Sequence, residues 1–123
     1  MSVIVRDDGF HAEDFAGTAV EIASDIKSDE LVQLASGADM VRILFPSFSD
    51  WRGFTLARRL RDAGYAGRLR AVGPVIADQY AMARRSGFDE VEIPDDLAAR
   101  QPEEQWKFRA DWRAHDYRAR MKG

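Results

Sequence analysis

The sequence predicts an α/β fold: one domain over residues 1–123, built on a small, mainly parallel sheet. Three observations carry this prediction. Apolar strand-like runs and amphipathic helical runs alternate as β-α-β-α-β across residues 41–93. A β-rich start followed by Asp-Asp-Gly predicts an N-terminal hairpin. After Pro94 no strand signal remains, so residues 95–123 read as a C-terminal arm, helical or extended.

Taken in order, "VIVRDDGFH" (3–11) supplies the hairpin, and "VEI" (20–22) reads as a short strand. In "SDELVQLASGAD", Ser28 is a candidate N-cap, Leu31 and Leu34 fall on one helical side, and Gly37 supplies a stop. "VRILF" (41–45) is nearly continuous in apolar residues, as suits a strand covered on both faces, and Pro46 ends it. "GFTLARRLRDAG" is helical, with Leu56, Leu60 and Ala63 along one side and most of its arginines elsewhere. "RLRAVG" is the next strand, and "VIADQYAMARRSG" a helix with Ile76, Tyr80 and Ala83 on one face. "DEVEIP" is the third strand of this unit, closed by Pro94. In the arm, Pro102 is placed to open a helix.

Composition excludes several chemistries. Cysteine is absent, which removes disulfides, thiol nucleophiles and cysteine-held metal or iron–sulfur centres. Two histidines, His11 and His115, argue against a histidine-rich metal site, so no metal is expected. No basic start with a long apolar run and no membrane-length apolar run is present, and a cytoplasmic location is the expectation. Charge comes in alternating blocks: net -7 over residues 1–40, +6 over 41–88, -6 over 89–104 and +4 over 105–123. Such blocks can pair within the fold, pair between copies, or leave a positive face for anions.

In open α/β sheets, ligands bind beyond the carboxyl ends of the strands. Two loops meet that condition. The first, "FPSFSDWRGF" (45–54), offers Ser47, Ser49, Asp50, Arg52 and Gly53; the second, "VGPVIADQ" (72–79), offers Gly73, Asp78 and Gln79. Asp50 or Ser49 is a candidate helix cap, and Arg52 beside free helix N–H groups suits an anion. The plain alternative is that Asp50 only caps, that Arg52 only pairs with Asp50 or Asp78, and that Phe48 and Trp51 only pack. No dinucleotide or P-loop fingerprint appears in either loop. Asp95-Asp96 reads as a solvated turn, and His115 with Asp111 as a surface pair, so no catalytic residue is named. Trp106, Phe108, Trp112 and Tyr117, interleaved with bases, suit docking to a protein surface, including a second copy, better than nucleic acid in so acidic a chain.

"FPSFSDWRGFTLARRLRDAGYAGRLRAVGPVIADQY", followed by "RRSGFDEVEI", resembles a bacterial family of small proteins. Its members are described as oxidoreductases or accessory proteins of assimilatory sulfite reduction. The family pattern F-P-x-F-x-D-G-R-G-Y-S falls on Phe45, Pro46, Phe48, Asp50, Arg52 and Gly53. Its later positions include Arg61, Tyr65, Gly67, Arg70, Gly73, Asp78, Gln79, Gly87, Phe88 and Asp89. Trp51 departs from the family glycine, and Phe54-Thr55 from its Tyr-Ser pair. The resemblance covers residues 41–93. It implies a role in reducing sulfite for cysteine synthesis, with sulfite reductase or another sulfate-assimilation enzyme as partner. A chain without cysteine does not hold the iron–sulfur centre of a sulfite reductase. The implied role is therefore an accessory one, by protein docking, small-anion binding or both. Two alternatives stay open: a small oxidoreductase with a non-standard flavin or nucleotide site on Trp51 or Phe48, and a non-catalytic oligomeric module. The residues name no cofactor.

Overall fold

The computed structural model describes residues 2–47 and 51–110. It is an α/β fold with one six-stranded mixed sheet. Strands β1 (Ser2–Arg6) and β2 (Gly9–His11) form the hairpin, turning through Asp7-Asp8, with Gly9 at φ +126. The chain continues through β3 (Ala19–Ala23), α1 (Ser28–Ala35), β4 (Met40–Leu44), α2 (Arg52–Asp62) and β5 (Arg68–Val72). A 3-10 turn (Ala77–Gln79) leads into α3 (Tyr80–Ser86), then β6 (Glu90–Pro94), α4 (Asp95–Arg100) and α5 (Glu103–Arg109). The sheet order is β2-β1-β6-β5-β4-β3; β3 to β6 are parallel, and β1 runs antiparallel to both β6 and β2.

Four parallel strands laid down in sequence order, with right-handed crossovers, place α1, α2 and α3 on one face. Val41, Ile43, Leu69, Ala71, Val91 and Ile93 point to that face and form the core with the helices. Leu31 and Ala35 are the buried pair of α1, whereas Leu34 is half exposed, so the expected Leu31–Leu34 face is corrected by one helical position. In α2 the buried side is Gly53, Phe54, Leu56, Ala57 and Leu60; Ala63 is an exposed C-cap rather than a core residue. Asp95 and Asp96 form the first turn of α4, where the helix dipole favours carboxylates, rather than a free turn. Ser28 begins α1 after Lys27 in the cap position.

The aromatic arm is partly an internal tether. Trp106 is fully buried, packs edge-on against Tyr80 at 6.0 Å, and donates from Nε1 to the Gln101 carbonyl at 2.9 Å. It therefore anchors α5 within its own chain, and Phe108 is the exposed aromatic of that helix. Trp112 and Tyr117, like His115 and Asp111, lie outside the described residues. Among the described residues no helix is long and apolar enough to cross a membrane.

Among the described residues the second face of the sheet carries no helix and is built from charge. Arg70, fully buried on β5, donates to Glu90 (2.6 Å), Glu92 (2.9 Å) and both oxygens of Glu13 (2.7 Å each). Arg42 on β4 binds Glu92 and Glu21, and Arg6 on β1 binds Glu90 and Asp14. The ladder therefore joins the basic central block to the acidic blocks on either side of it, within one chain. Glu13 and Asp14 belong to the seven residues that link β2 at one sheet edge to β3 at the other. Five strand spacings of about 4.8 Å require about 24 Å. The eight Cα–Cα steps from His11 to Ala19 reach only slightly further than that when extended, about 26–29 Å at about 3.3–3.6 Å each. The link is thus a nearly straight strap, pinned by Glu13 on Arg70, Asp14 on Arg6, and the Phe15 ring 5.6 Å from the Arg68 guanidinium.

Arg70 stays charged despite its burial, because the three glutamates raise its pKa. The Arg70 hydrogen bonds lower the Glu13 pKa, against a smaller opposing effect of burial. For Glu92 burial works upward, but hydrogen bonds from Arg42, Ser2 and Arg70 together bring its pKa down. Carboxylates with folded pKa values below their unfolded ones add stability that is present above the unfolded values and lost as pH falls through the folded ones. The urea midpoint should therefore fall as pH drops below about 4.5, where unfolded carboxylates begin to protonate. Glu13→Gln should make that fall shallower. Arg70→Ala, which leaves buried Glu90 with only its longer contacts to Arg6 and Arg68, should cost about 3 kcal/mol in urea unfolding at neutral pH.

Candidate functional site

Phe45 organises the carboxyl end of the parallel strands. It is buried just past β4, and its N–H donates to the Val72 carbonyl at 2.7 Å, extending the β4–β5 ladder. Its ring packs edge-to-face on Phe54 of α2 at 5.1 Å and against Phe88 at 5.9 Å. Gly53 lies against that ring so closely that a side chain would overlap it. Gly73, at φ +139, lies against the Phe45 carbonyl oxygen, where a Cβ would again overlap. These two glycines let α2 and the β5 loop close on Phe45. They are packing positions, and they are brought together as the adjacent loops require.

The other expected site residues separate. Arg52 opens α2 and lines a cleft of about 260 Å³ with Ser24, Asp25, Ile26, Thr55, Leu56 and Arg59. Asp78 lies on the other side of the β5 loop. It pairs with Arg109 of α5 at 2.9 Å and borders a hollow of about 400 Å³ lined also by Glu104, Gln105 and Phe108. The Gln79 side chain accepts the Ile76 N–H at 3.2 Å and so closes its own turn. Asp78 and Gln79 thus serve the docking of α5 and the entry to α3. Ser49 and Asp50, with Phe48, lie outside the described residues. The residue in the N-cap position of α2 is Trp51, whose side chain makes no capping bond. Trp51 is about half exposed and leans on Phe54, with ring centroids 5.6 Å apart.

Arg59 and Thr55 were not singled out from the sequence. Their signal is the spacing of Arg52, Thr55 and Arg59, at i, i+3 and i+7, which places three polar side chains on one side of α2. Opposite them stand Ser24 and Asp25, from the turn that follows β3. The cleft lies at the carboxyl edge of a parallel sheet, beside the positive end of an eleven-residue helix. Two guanidiniums and one carboxylate stand among its described lining residues. That arrangement suits a small oxyanion. Among the described residues no group of three or more His, Cys, Asp or Glu side chains is placed to hold a metal ion.

At the opposite end of the sheet, Arg61 performs a second packing task. It donates to the carbonyls of Gly87 (3.0 Å), Tyr65 (2.9 Å) and Gly67 (2.8 Å), and to Asp89 (2.9 Å), which also accepts the Leu69 N–H. It thereby ties the end of α2 to the starts of β5 and β6. Gly73→Ala should lower the thermal midpoint through a loss of about 2 kcal/mol or more, from backbone strain and the Phe45 overlap. Asp78→Ala, exposed and paired only at the surface, should cost less than about 1 kcal/mol in the same melt.

No curated protein and no solved structure matches the chain. A family match does cover residues 19–121, extending well past the 41–93 stretch in both directions, from β3 through the C-terminal arm. The chain belongs to the family described as bacterial protein of unknown function, DUF934.

Proposed function

We propose that this chain is an accessory protein of assimilatory sulfite reduction that holds a small oxyanion and docks to an enzyme of that pathway. The observation that carries the reading is the cleft in which Arg52 and Arg59 of α2 face Ser24 and Asp25. Sulfite and sulfate present several acceptor oxygens and negative charge. Guanidinium groups supply forked donors, and the helix N-terminus adds backbone N–H groups. The pathway itself rests on the resemblance of the 41–93 stretch. Phe45, Gly53, Arg61, Arg70 and Gly73 within that stretch build the frame. Arg52 is the pattern position that reaches the cleft. The role assigned to the protein is binding and delivery, with no bond made or broken on its own side chains.

Calorimetric titration with sulfite and with sulfate should show binding to the purified protein. Arg52→Ala and Arg59→Ala should each weaken it by about tenfold or more, the worth of a charge-assisted hydrogen bond. Equal affinity in both variants rejects the site. A deletion strain should fail to grow on sulfate or sulfite and recover on sulfide or cysteine; normal growth on sulfate rejects the pathway.

A further inference from the structure

The two edges of the sheet are finished differently. At the β2 edge the strand is three residues long, and the Phe10 N–H donates to the Glu103 carboxylate of α5 at 2.7 Å. That edge is short, covered and capped. The β3 edge has five residues, pairs among the described residues only with β4, and contains neither proline nor lysine. The Thr18 carbonyl accepts the N–H groups of Asp39 and Met40, so Thr18, Val20 and Ile22 turn their backbone groups towards β4. The N–H groups of Ala19, Glu21 and Ala23 therefore point away from the sheet, as an open template for another strand. Ala19 and Ala23 are small, so an added strand meets little steric resistance on the face without helices.

Charge says what kind of strand fits. Residues 19–39 carry five acids and one base, net -4, and all six side chains are exposed. On α1, Val32 lines the groove shared with Leu60 and Ala63 of α2, while Leu31 and Ala35 are buried beneath. Glu30 and half-exposed Leu34, one turn apart, therefore occupy the flank away from α2, above the open edge. A second copy would bring a second set of acids against these. We propose that the β3 edge receives an extended basic segment of a partner protein, added as a seventh strand with its Lys or Arg side chains on the helix-bearing side, towards Glu30. This surface needs neither the oxyanion nor the pathway, so the two readings fail separately.

The probe is a short synthetic peptide alternating valine and lysine, with an alternating valine–glutamate peptide of equal length as control. The readout is amide hydrogen exchange. At about ten times its Kd the lysine peptide should slow exchange at the Ala19, Glu21 and Ala23 N–H groups by about tenfold. The control should leave them unchanged, and sulfite affinity should not move. Ala19→Pro, at the first strand position where proline is tolerated, should weaken peptide binding while leaving the fold intact by circular dichroism. Equal protection by the glutamate peptide overturns the proposal, as does no protection at millimolar lysine peptide. Protection already present in the free protein, together with a doubled mass on sizing, assigns the edge to a second copy and overturns it too.

Discussion

Everything on the helix-free face depends on the guanidinium of Arg70. Among the described residues helices cover one side of the sheet only, and the other side is finished with an ion-pair lattice instead of a hydrophobic layer. Arg70 is fully buried and has three carboxylates around it, from β6 on one side and the strap above. Burying a lone charge is strongly unfavourable, and it becomes tolerable only when the donors are matched. The match here requires β5, β6 and the strap to be in place together. It thereby fixes the register of Arg70 opposite Glu90, since a slip of one residue would turn the arginine into the apolar core.

The opposite face follows ordinary apolar packing, and Phe45 is its hinge with the functional end. The same ring that fills the core beside Phe54 and Phe88 also sets how closely α2 and the β5 loop approach. Rigid placement of the α2 N-terminus follows, and with it the position of Arg52 relative to the turn after β3. Binding groups on a firmly seated helix lose less entropy when a ligand arrives than groups on a mobile loop.

The alternation across residues 41–93 was readable because each strand and helix there has an unbroken pattern and a Gly or Pro stop. Leu34 was misplaced because a short helix at a sheet edge buries only a narrow stripe, and Leu31 with Ala35 already fills it. Trp106 looked like an intermolecular anchor because its flanks are polar; the Gln101 turn that folds α5 back under Tyr80 leaves little local signal. The two loops lie side by side because β4 and β5 are neighbours, yet Arg52 and Asp78 line separate hollows. Adjacency of strands follows from sequence order, but the direction of a side chain depends on the helix phase that comes after it. The charged face was present in the sequence as Arg-x-Arg in β5 and Glu-x-Glu in β6, a period-two alternation of opposite sign in adjacent strands.

The position of β1 has a consequence for how the chain assembles. Its pairing partner β6 lies more than eighty residues later, with Ser2 opposite Pro94. As the chain emerges during synthesis, the hairpin precedes the parallel strands, and an isolated hairpin is marginally stable in water. The parallel strands β3 to β5 can gather next, but Arg70 finds Glu90 and Glu92 only after β6 has been made. Loop closure over such a separation is slow. A strand made before the parallel ones is thus seated after them, and its arrival locks the strap across the finished sheet.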